Sequence, residues 1–355
     1  MRAWCVLRPW APNRSLTMPA PPPLPSVSVV MPVVNEERHL RAAVDRILTQ
    51  DYAGELDVTL AVGPSKDDTA TVAAELASAS DRIRVVDNPT GATPAGLNTA
   101  IAASAGEIVV RVDGHAMIPS DYVSTAVEVL QRTEADNVGG IMAAEGQRRL
   151  RAFGRRCDDL EVRSGRCLLS MSAARRGRPL PVYLGCFRRS ALQRVGGYDE
   201  SMERAQDWEL NLRIRESGGV VYFTPDLKVT YRPRHSMKAL ARQYHDYGRW
   251  RREVARRHPS TLSVRYLAAP VTVATIAAGL GAAAVGVMRG RGSVVLAGLA
   301  PLAVYAAGNV AASVWTGARI ADPPAALRLP AVFATMHGAW GVGFWRGGAG
   351  GGTRR

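Results

Sequence analysis

Residues 27–50 read VSVVMPVVNEERHLRAAVDRILTQ, and this stretch decides the fold class. Val27–Pro32 is a short apolar run without alternation, the pattern of a strand buried on both faces. The period then changes. From Glu36 to Gln50 the residues Leu40, Val44, Ile47 and Leu48 fall on one helical face. A doubly buried strand followed at once by an amphipathic helix opens a βαβ unit.

The alternation continues outward from there. Leu56–Val62, Ile83–Val86 and Glu107–Val112 read as further strands, and Thr69–Ser78 and Pro94–Ser104 as helices between them. This predicts an α/β domain with a mostly parallel sheet covered on both faces. Ligands of such sheets gather beyond the carboxyl ends of the strands, where Asn35, Ser65, Asn88 and Asp113 all fall. The stretch from Asn137 to Tyr198 is less regular and rich in Arg and Gly, and Gln206–Glu216 resumes as a helix opening on acidic residues.

The remaining chain changes character. Ser236–Arg257 reads as a very basic helix with Leu240, Tyr244, Tyr247 and Trp250 offering an apolar side, the pattern of a helix lying on anionic lipid. Tyr266–Met288 and Val294–Thr316 carry no charged residue, and each is long enough to cross a hydrocarbon core of about 30 Å. Arg289 and Arg291 mark the turn between them; Ala331–Trp345, which contains His337, is a shorter third candidate. The competing reading, a buried Ala/Gly-rich hairpin in a soluble domain, needs two adjacent uncharged runs of this length without a membrane. Residues 1–25 are Pro-rich, with no apolar run leading to a cleavage site, and read as a disordered leader with Met18 as an alternative start.

The chain has 355 residues and a net charge of +14 with a pI near 10.3, so its natural partners are anionic. The basic residues crowd between Arg232 and Arg265, directly before the first apolar run, which favours a membrane surface. A nucleic-acid binder would account for the charge but leave the apolar tail without a role. Cys5, Cys157, Cys167 and Cys186 show no paired metal spacing and read as reduced thiols of a cytosolic compartment.

Three local patterns could carry chemistry. Asp113-Gly114-His115 follows a strand, and its carboxylate and imidazole could face one divalent ion; an Asx turn beside a surface histidine is the competing reading. Gln206-Asp207 opens a helix, so Asp207 is either a general base or a helix cap. Gly63-Pro64-Ser65-Lys66-Asp67-Asp68-Thr69 is a tight loop before a helix, suited to an anion or to an ordinary capped turn.

Taken in order, these patterns resemble the family 2 glycosyltransferases. Val30–Glu37 is similar to that family's opening strand and nucleotide loop; Asn88–Gly91 with Pro94, Gly96 and Asn98 resembles the segment before its sugar site. Arg111–Ala116 resembles its metal-binding Asp-x-Asp in an Asp-x-His form, and Gly185–Arg189 with Val195–Glu200 its acceptor-side segment. Gln206-Asp207 stands where the family has Glu-Asp. The Asp-Gly-His-Ala run, the 242–249 stretch and the apolar tail look most like the succinoglycan-type exopolysaccharide glucosyltransferases.

The resemblance implies a GT-A fold and inverting transfer from a nucleotide diphosphate sugar to a lipid-linked or polysaccharide-precursor acceptor. It implies Mg²⁺ or Mn²⁺ on Asp113 and His115, Asp207 as catalytic base, and donor contacts from Pro32, Asn35, Glu36, Ser65, Asp67, Asn98, Asp113 and Arg249. The expected plan is a catalytic domain over 26–235, an interfacial helix over 236–260, and a membrane region over 264–346 with two or three spans. A Gly-rich tail over 347–355 follows. The protein would then be a multi-pass membrane protein with its catalytic domain in the cytoplasm. A polyprenyl-phosphate sugar synthase and a non-catalytic membrane scaffold of glycosyltransferase descent are the rivals. Three departures stand out: Val62 and Gly63 replace the acidic pair that reads the nucleobase, Gln206 replaces Glu, and Gln243 lies too far from Arg249-Trp250 for the processive motif.

Overall fold

The computed structural model describes residues 23–144, 182–231, 236–319 and 323–347. Nearly all of the expected leader and tail, and the Arg-rich stretch holding Cys157 and Cys167, lie outside these residues. Strands β1 (Val27–Val33), β2 (Leu56–Val62), β3 (Ile83–Asp87) and β4 (Ile108–Arg111) alternate with helices α1 (Leu40–Leu48), α2 (Thr69–Ala79) and α3 (Thr93–Ala103), and α4 (Tyr122–Arg132) follows β4. β1 pairs in parallel with β2 and β4, and β2 with β3. Then come β5 (Asn137–Ala144), β6 (Tyr183–Arg188), α5 (Arg189–Val195), α6 (Gln206–Glu216) and β7 (Val221–Tyr231).

The strands form one sheet in the order β3-β2-β1-β4-β6-β5-β7, with β6 antiparallel to both neighbours and β5 parallel to β7. Along β1 the side chains divide between two cores. Val27, Val29, Met31 and Val33 pack with α1, α2 and α4, whereas Val30 packs with Leu97 of α3, Leu192 of α5 and Leu210 of α6. Each such fully buried aliphatic side chain contributes roughly 1.5–3 kcal/mol, so the two-sided core is the main source of stability.

The order also fixes where a ligand belongs. The chain runs outward from β1 to β3 and then returns to β4 on the other side of β1, which makes the carboxyl ends of β1 and β4 a topological switch point. Pro32 ends the pairing there. It has no N–H to offer the strand beside it, and the β1–β4 ladder stops at Val30↔Arg111.

Beyond the sheet, α7 (Met237–Arg257) leads through a 3₁₀ turn (Pro259–Thr261) into α8 (Val264–Met288) and α9 (Gly292–Gly317). A short α10 (Pro323–Ala326) and α11 (Leu329–Arg346) complete the described chain. Helices α8 and α9 are long and apolar enough to cross a membrane, α8 spanning about 37 Å at 1.5 Å per residue. Their large apolar side chains, among them Val287, Leu296, Val304 and Trp315, are exposed on the outside of the protein. A soluble core helix would bury them. Helix α11, the shorter candidate, instead packs along α7 and α8.

The α7–α11 crossing is very close. A Cβ at Gly343 would fall inside the van der Waals shell of the His245 carbonyl oxygen, and one at Gly248 inside that of Trp340. Gly343→Ala therefore forces the helices apart and is expected to cost about 1–3 kcal/mol or more. Gly281, on α8, faces open space, so Gly281→Ala is expected to be neutral or stabilising by up to about 1 kcal/mol through helix propensity. Thermal unfolding of the two variants in the same detergent checks this; equal melting temperatures would contradict the close crossing.

Candidate active site

The carboxyl end of β4 holds a charged residue where an apolar one belongs. Ile108, Val110 and Val112 face the first core, so Arg111 shares the opposite face with Val109, beneath the start of α6. Arg111 is 5% exposed. Its Nε and Nη2 both donate to Asp113 Oδ1, at 3.1 and 2.9 Å, and its Nη1 donates to Asp207 Oδ1. One guanidinium thus joins the candidate metal ligand to the candidate base, which lies 96 residues from Arg111 in sequence. Burying a lone guanidinium is costly, and two carboxylates with fork geometry offset that cost. Burial works against its charge, but Asp113 and Asp207 outweigh it and hold the Arg111 pKa above its ordinary value.

Asp207 lies in the first turn of α6 and makes no capping hydrogen bond. Its carboxylate goes to Arg111 instead. Oδ1 takes that contact, and Oδ2 accepts no hydrogen bond from the described residues. Burial pushes the Asp207 carboxyl above its usual range, Arg111 pulls it down, and Asp113 adds to the upward push. The side chain is still 28% exposed, so it remains reachable from outside. The residue before the helix, Ala205, has φ 63°, a left-handed conformation that costs an alanine energy and fixes how α6 begins. Lower on α6, buried Glu209 pairs with Arg213, which also donates to the carbonyls of Val195 and Gly197.

Asp113 and His115 share one tight turn, closed by Ala116 N–H donating to the Asp113 carbonyl at 2.8 Å. His115 Nδ1 lies 2.7 Å from Glu36 Oε1, which orients the ring. Among the described residues no three His, Cys, Asp or Glu side chains gather as a self-sufficient metal cluster. A carboxylate is a hard donor and an imidazole a borderline one; together they hold Mn²⁺ or Mg²⁺ weakly unless a ligand such as a diphosphate supplies the remaining oxygens.

The other sequence candidates serve to join loops. Asn35, at φ 56°, donates its N–H to Ser65 Oγ at 3.1 Å, and its Oδ1 accepts from Lys66 N–H at 2.7 Å. Glu36 N–H donates to Thr69 Oγ1 at 2.8 Å and Glu37 N–H to Asp67 Oδ2 at 3.2 Å. The Thr69 hydroxyl and N–H occupy Asp67 Oδ1, and the hydroxyl is the main cause of that carboxyl's lowered pKa. The loops after β1 and β2 are therefore one hydrogen-bonded unit. Gly63 sits within it, where a Cβ would meet Val34 and the Gly91 backbone at 2.7 and 2.8 Å, which accounts for the loss of an acidic residue there.

Asn98, on α3, donates to the Tyr198 carbonyl at 2.9 Å and to Glu200 at 3.0 Å and accepts from Tyr198 N–H at 2.8 Å. It fixes the 196–200 turn that leads to α6. Arg249 lies on the exposed side of α7, 5.9 Å from the Trp250 ring, and is the one donor candidate outside the α/β domain. The structure thus brings Asp113, His115, Glu36 and Asp207 to one strand-end crevice. The sequence reading missed Arg111, although an arginine inside the apolar run Ile108–Val112 was a visible signal.

Comparison with known proteins agrees with this fold. The profile described as glycosyltransferase like family 2 matches residues 22–252. The succinoglycan biosynthesis protein ExoA of Rhizobium meliloti is 29% identical over 324 residues, covering 90% of this chain and 93% of that protein. A dolichyl N-acetyl-alpha-D-glucosaminyl phosphate 3-beta-D-2,3-diacetamido-2,3-dideoxy-beta-D-glucuronosyltransferase of Methanococcus voltae is 23% identical, covering 62% of this chain and 71% of its own. Among solved structures, the mannosyltransferase PcManGT of Pyrobaculum calidifontis, in complex with GDP-Man and Mn²⁺, superposes with a TM-score of 0.57. It is 22% identical and covers 90% of this chain and 86% of that one. A doubly covered, mostly parallel sheet with paired carboxylates at its switch point, matched by this profile, makes the chain a GT-A glycosyltransferase of family 2.

Proposed function

We propose that the protein is a multi-pass membrane enzyme that transfers a sugar, with inversion, from a nucleotide diphosphate donor to a lipid-linked or polysaccharide-precursor acceptor. Its catalytic domain faces the cytoplasm. The observation that carries this reading is the pair Asp113 and Asp207 held side by side on one buried guanidinium at the β1/β4 crevice. The relative named for succinoglycan biosynthesis supports a role in exopolysaccharide or envelope glycan assembly, and the Methanococcus relative, named for a dolichyl phosphate sugar, supports a lipid-linked acceptor.

Asp113 and His115 would hold a divalent ion together with the donor diphosphate, in keeping with the Mn²⁺ and GDP-Man bound by the mannosyltransferase. The ion supplies charge stabilisation for the departing nucleotide diphosphate. Asp207 takes the proton from the acceptor hydroxyl. The freed oxygen pair forms the new bond to the anomeric carbon while the bond from that carbon to the phosphate oxygen breaks, and its electrons leave with the diphosphate. Raising the Asp207 pKa by burial suits this role, since a stronger base accepts the proton more readily once ionised. The joined loops after β1 and β2 would seat the nucleotide.

Four measurements test the reading. Membranes supplied with a panel of labelled nucleotide sugars should yield a labelled lipid-extractable or polymeric product; label arriving directly on a polyprenyl phosphate would favour the synthase alternative. Asp207→Asn keeps the shape of the side chain but cannot take a proton, so transfer should fall about 10²–10⁴-fold with normal expression. Near wild-type transfer would place the base elsewhere. Asp113→Ala or excess chelator should abolish transfer, with Mn²⁺ or Mg²⁺ restoring only the chelated wild type. Finally, the full-length protein should stay in membranes through an alkaline carbonate wash; its release would rule out α8 and α9 as spans.

A further inference from the structure

We propose that Arg111 is a positioning residue, a fixed counter-charge that places the base Asp207 and at the same time weakens the site's hold on a bare divalent ion. The inference rests on the reading of Asp113 as metal ligand and Asp207 as base. Its own observations concern Arg111 alone. The residue is 5% exposed, sits on a core face of β4 and donates three hydrogen bonds, two to Asp113 Oδ1 and one to Asp207 Oδ1. A guanidinium is a rigid planar fork, so bonds from its two ends fix both carboxylates relative to each other. A lysine would carry the charge but could not hold both at once.

Charge balance gives the second half. Asp113, Asp207 and the one guanidinium leave a single negative charge in a largely buried place, and Glu36, in contact with His115, adds a further acidic side chain at the same crevice. A divalent ion arriving on Asp113 would share that carboxylate with a cation already bonded to it, and like charges at such range repel strongly away from bulk water. A donor diphosphate brings negative charge to the same spot and relieves the repulsion. Arg111 therefore favours the ion and the diphosphate together over the ion alone. Glu209 and Arg213 anchor α6 from its other side, so the helix start retains a fixed attachment when Arg111 is altered.

The test compares full-length Arg111→Met and Arg111→Lys with wild type in detergent. Mn²⁺ affinity is read without nucleotide from the spin-resonance signal of free Mn²⁺, and transfer is resolved into kcat and donor KM. Arg111→Met should bind bare Mn²⁺ about tenfold more tightly, because a neighbouring positive charge is gone. Its kcat should fall about 100-fold, the scale of a small misplacement of a catalytic group, with donor KM little changed. Arg111→Lys should bind Mn²⁺ as wild type does and still lose kcat. A folded Arg111→Met with unchanged or weaker Mn²⁺ affinity overturns the proposal. Should Arg111→Met not fold, an Arg111→Lys enzyme with wild-type kcat overturns it equally. Asp113→Ala separates the two levels: if Mn²⁺ binding survives that change, the metal assignment itself fails, whereas its loss leaves the Arg111 result to decide.

Discussion

The geometry at the crevice depends on one buried cation. Without Arg111, Asp113 at the end of β4 and Asp207 at the start of α6 would be two carboxylates facing each other in a place partly closed to water. With it, one planar guanidinium bonded to both carboxylates fixes them relative to each other. The surrounding structure can be read as support for this arrangement. The second core packs α6 onto the sheet, Arg213 ties α6 to the 195–197 turn, and Asn98 ties the next residues of that turn to α3. The active-site geometry is therefore set by packing far from the reacting atoms, and errors in that packing would appear as lost turnover before they appeared as lost binding.

The first half of the sheet was legible in the sequence because its strands are unbroken apolar runs separated by helices of clear period. The second half was not. β5 contains Gly139-Gly140, and Gly140 is there because a side chain would collide with the Leu227 carbonyl of β7. The ladder slips at that point, its partners jumping from Phe223 to Lys228 around a turn that holds Pro225. Glycine and proline read as loop when the sequence is taken locally; only the neighbouring strand explains them. The same holds at the site. Asp113, His115 and Asp207 are candidates by motif, but the residue joining Asp113 to Asp207 belongs to a strand and is defined by a contact remote in sequence.

Asn35, Ser65, Asp67 and Asn98 illustrate a further limit of motif reading. The first three lie just past strand ends and Asn98 on α3, places that mark them for ligand contact, yet each is occupied by hydrogen bonds to the protein. A polar residue at such a place makes the loop rigid before anything binds, so the ordering cost is met in advance by the fold. Gly63 follows the same logic: three loops converge there so closely that the carboxylate expected by family pattern has no room.

The charge of α7 divides in a way the sequence did not reveal. Arg251 is buried between the rings of Trp208, next to Asp207, and Tyr266, at the start of α8, 5.0 and 3.9 Å from their centroids. Arg252 donates to the carbonyls of Phe344 and Trp345, Arg256 pairs with Glu253, and Arg257 pairs with Glu253 and Asp199. Arg251, Arg252 and Arg257 thereby tie α6, the 199–201 turn and the apolar helices to α7, whereas the Arg256 pair stays within α7. The cations left exposed on α7 include Lys238, Arg242 and Arg249, which at spacings of four and seven residues form one stripe. Against an anionic bilayer such a stripe adds about 1 kcal/mol per residue. That is enough to bias the tilt of the domain but small beside two apolar helices. The greater part of the basic helix thus ties the crevice to the apolar helices, an arrangement that suits the membrane-borne acceptor proposed above.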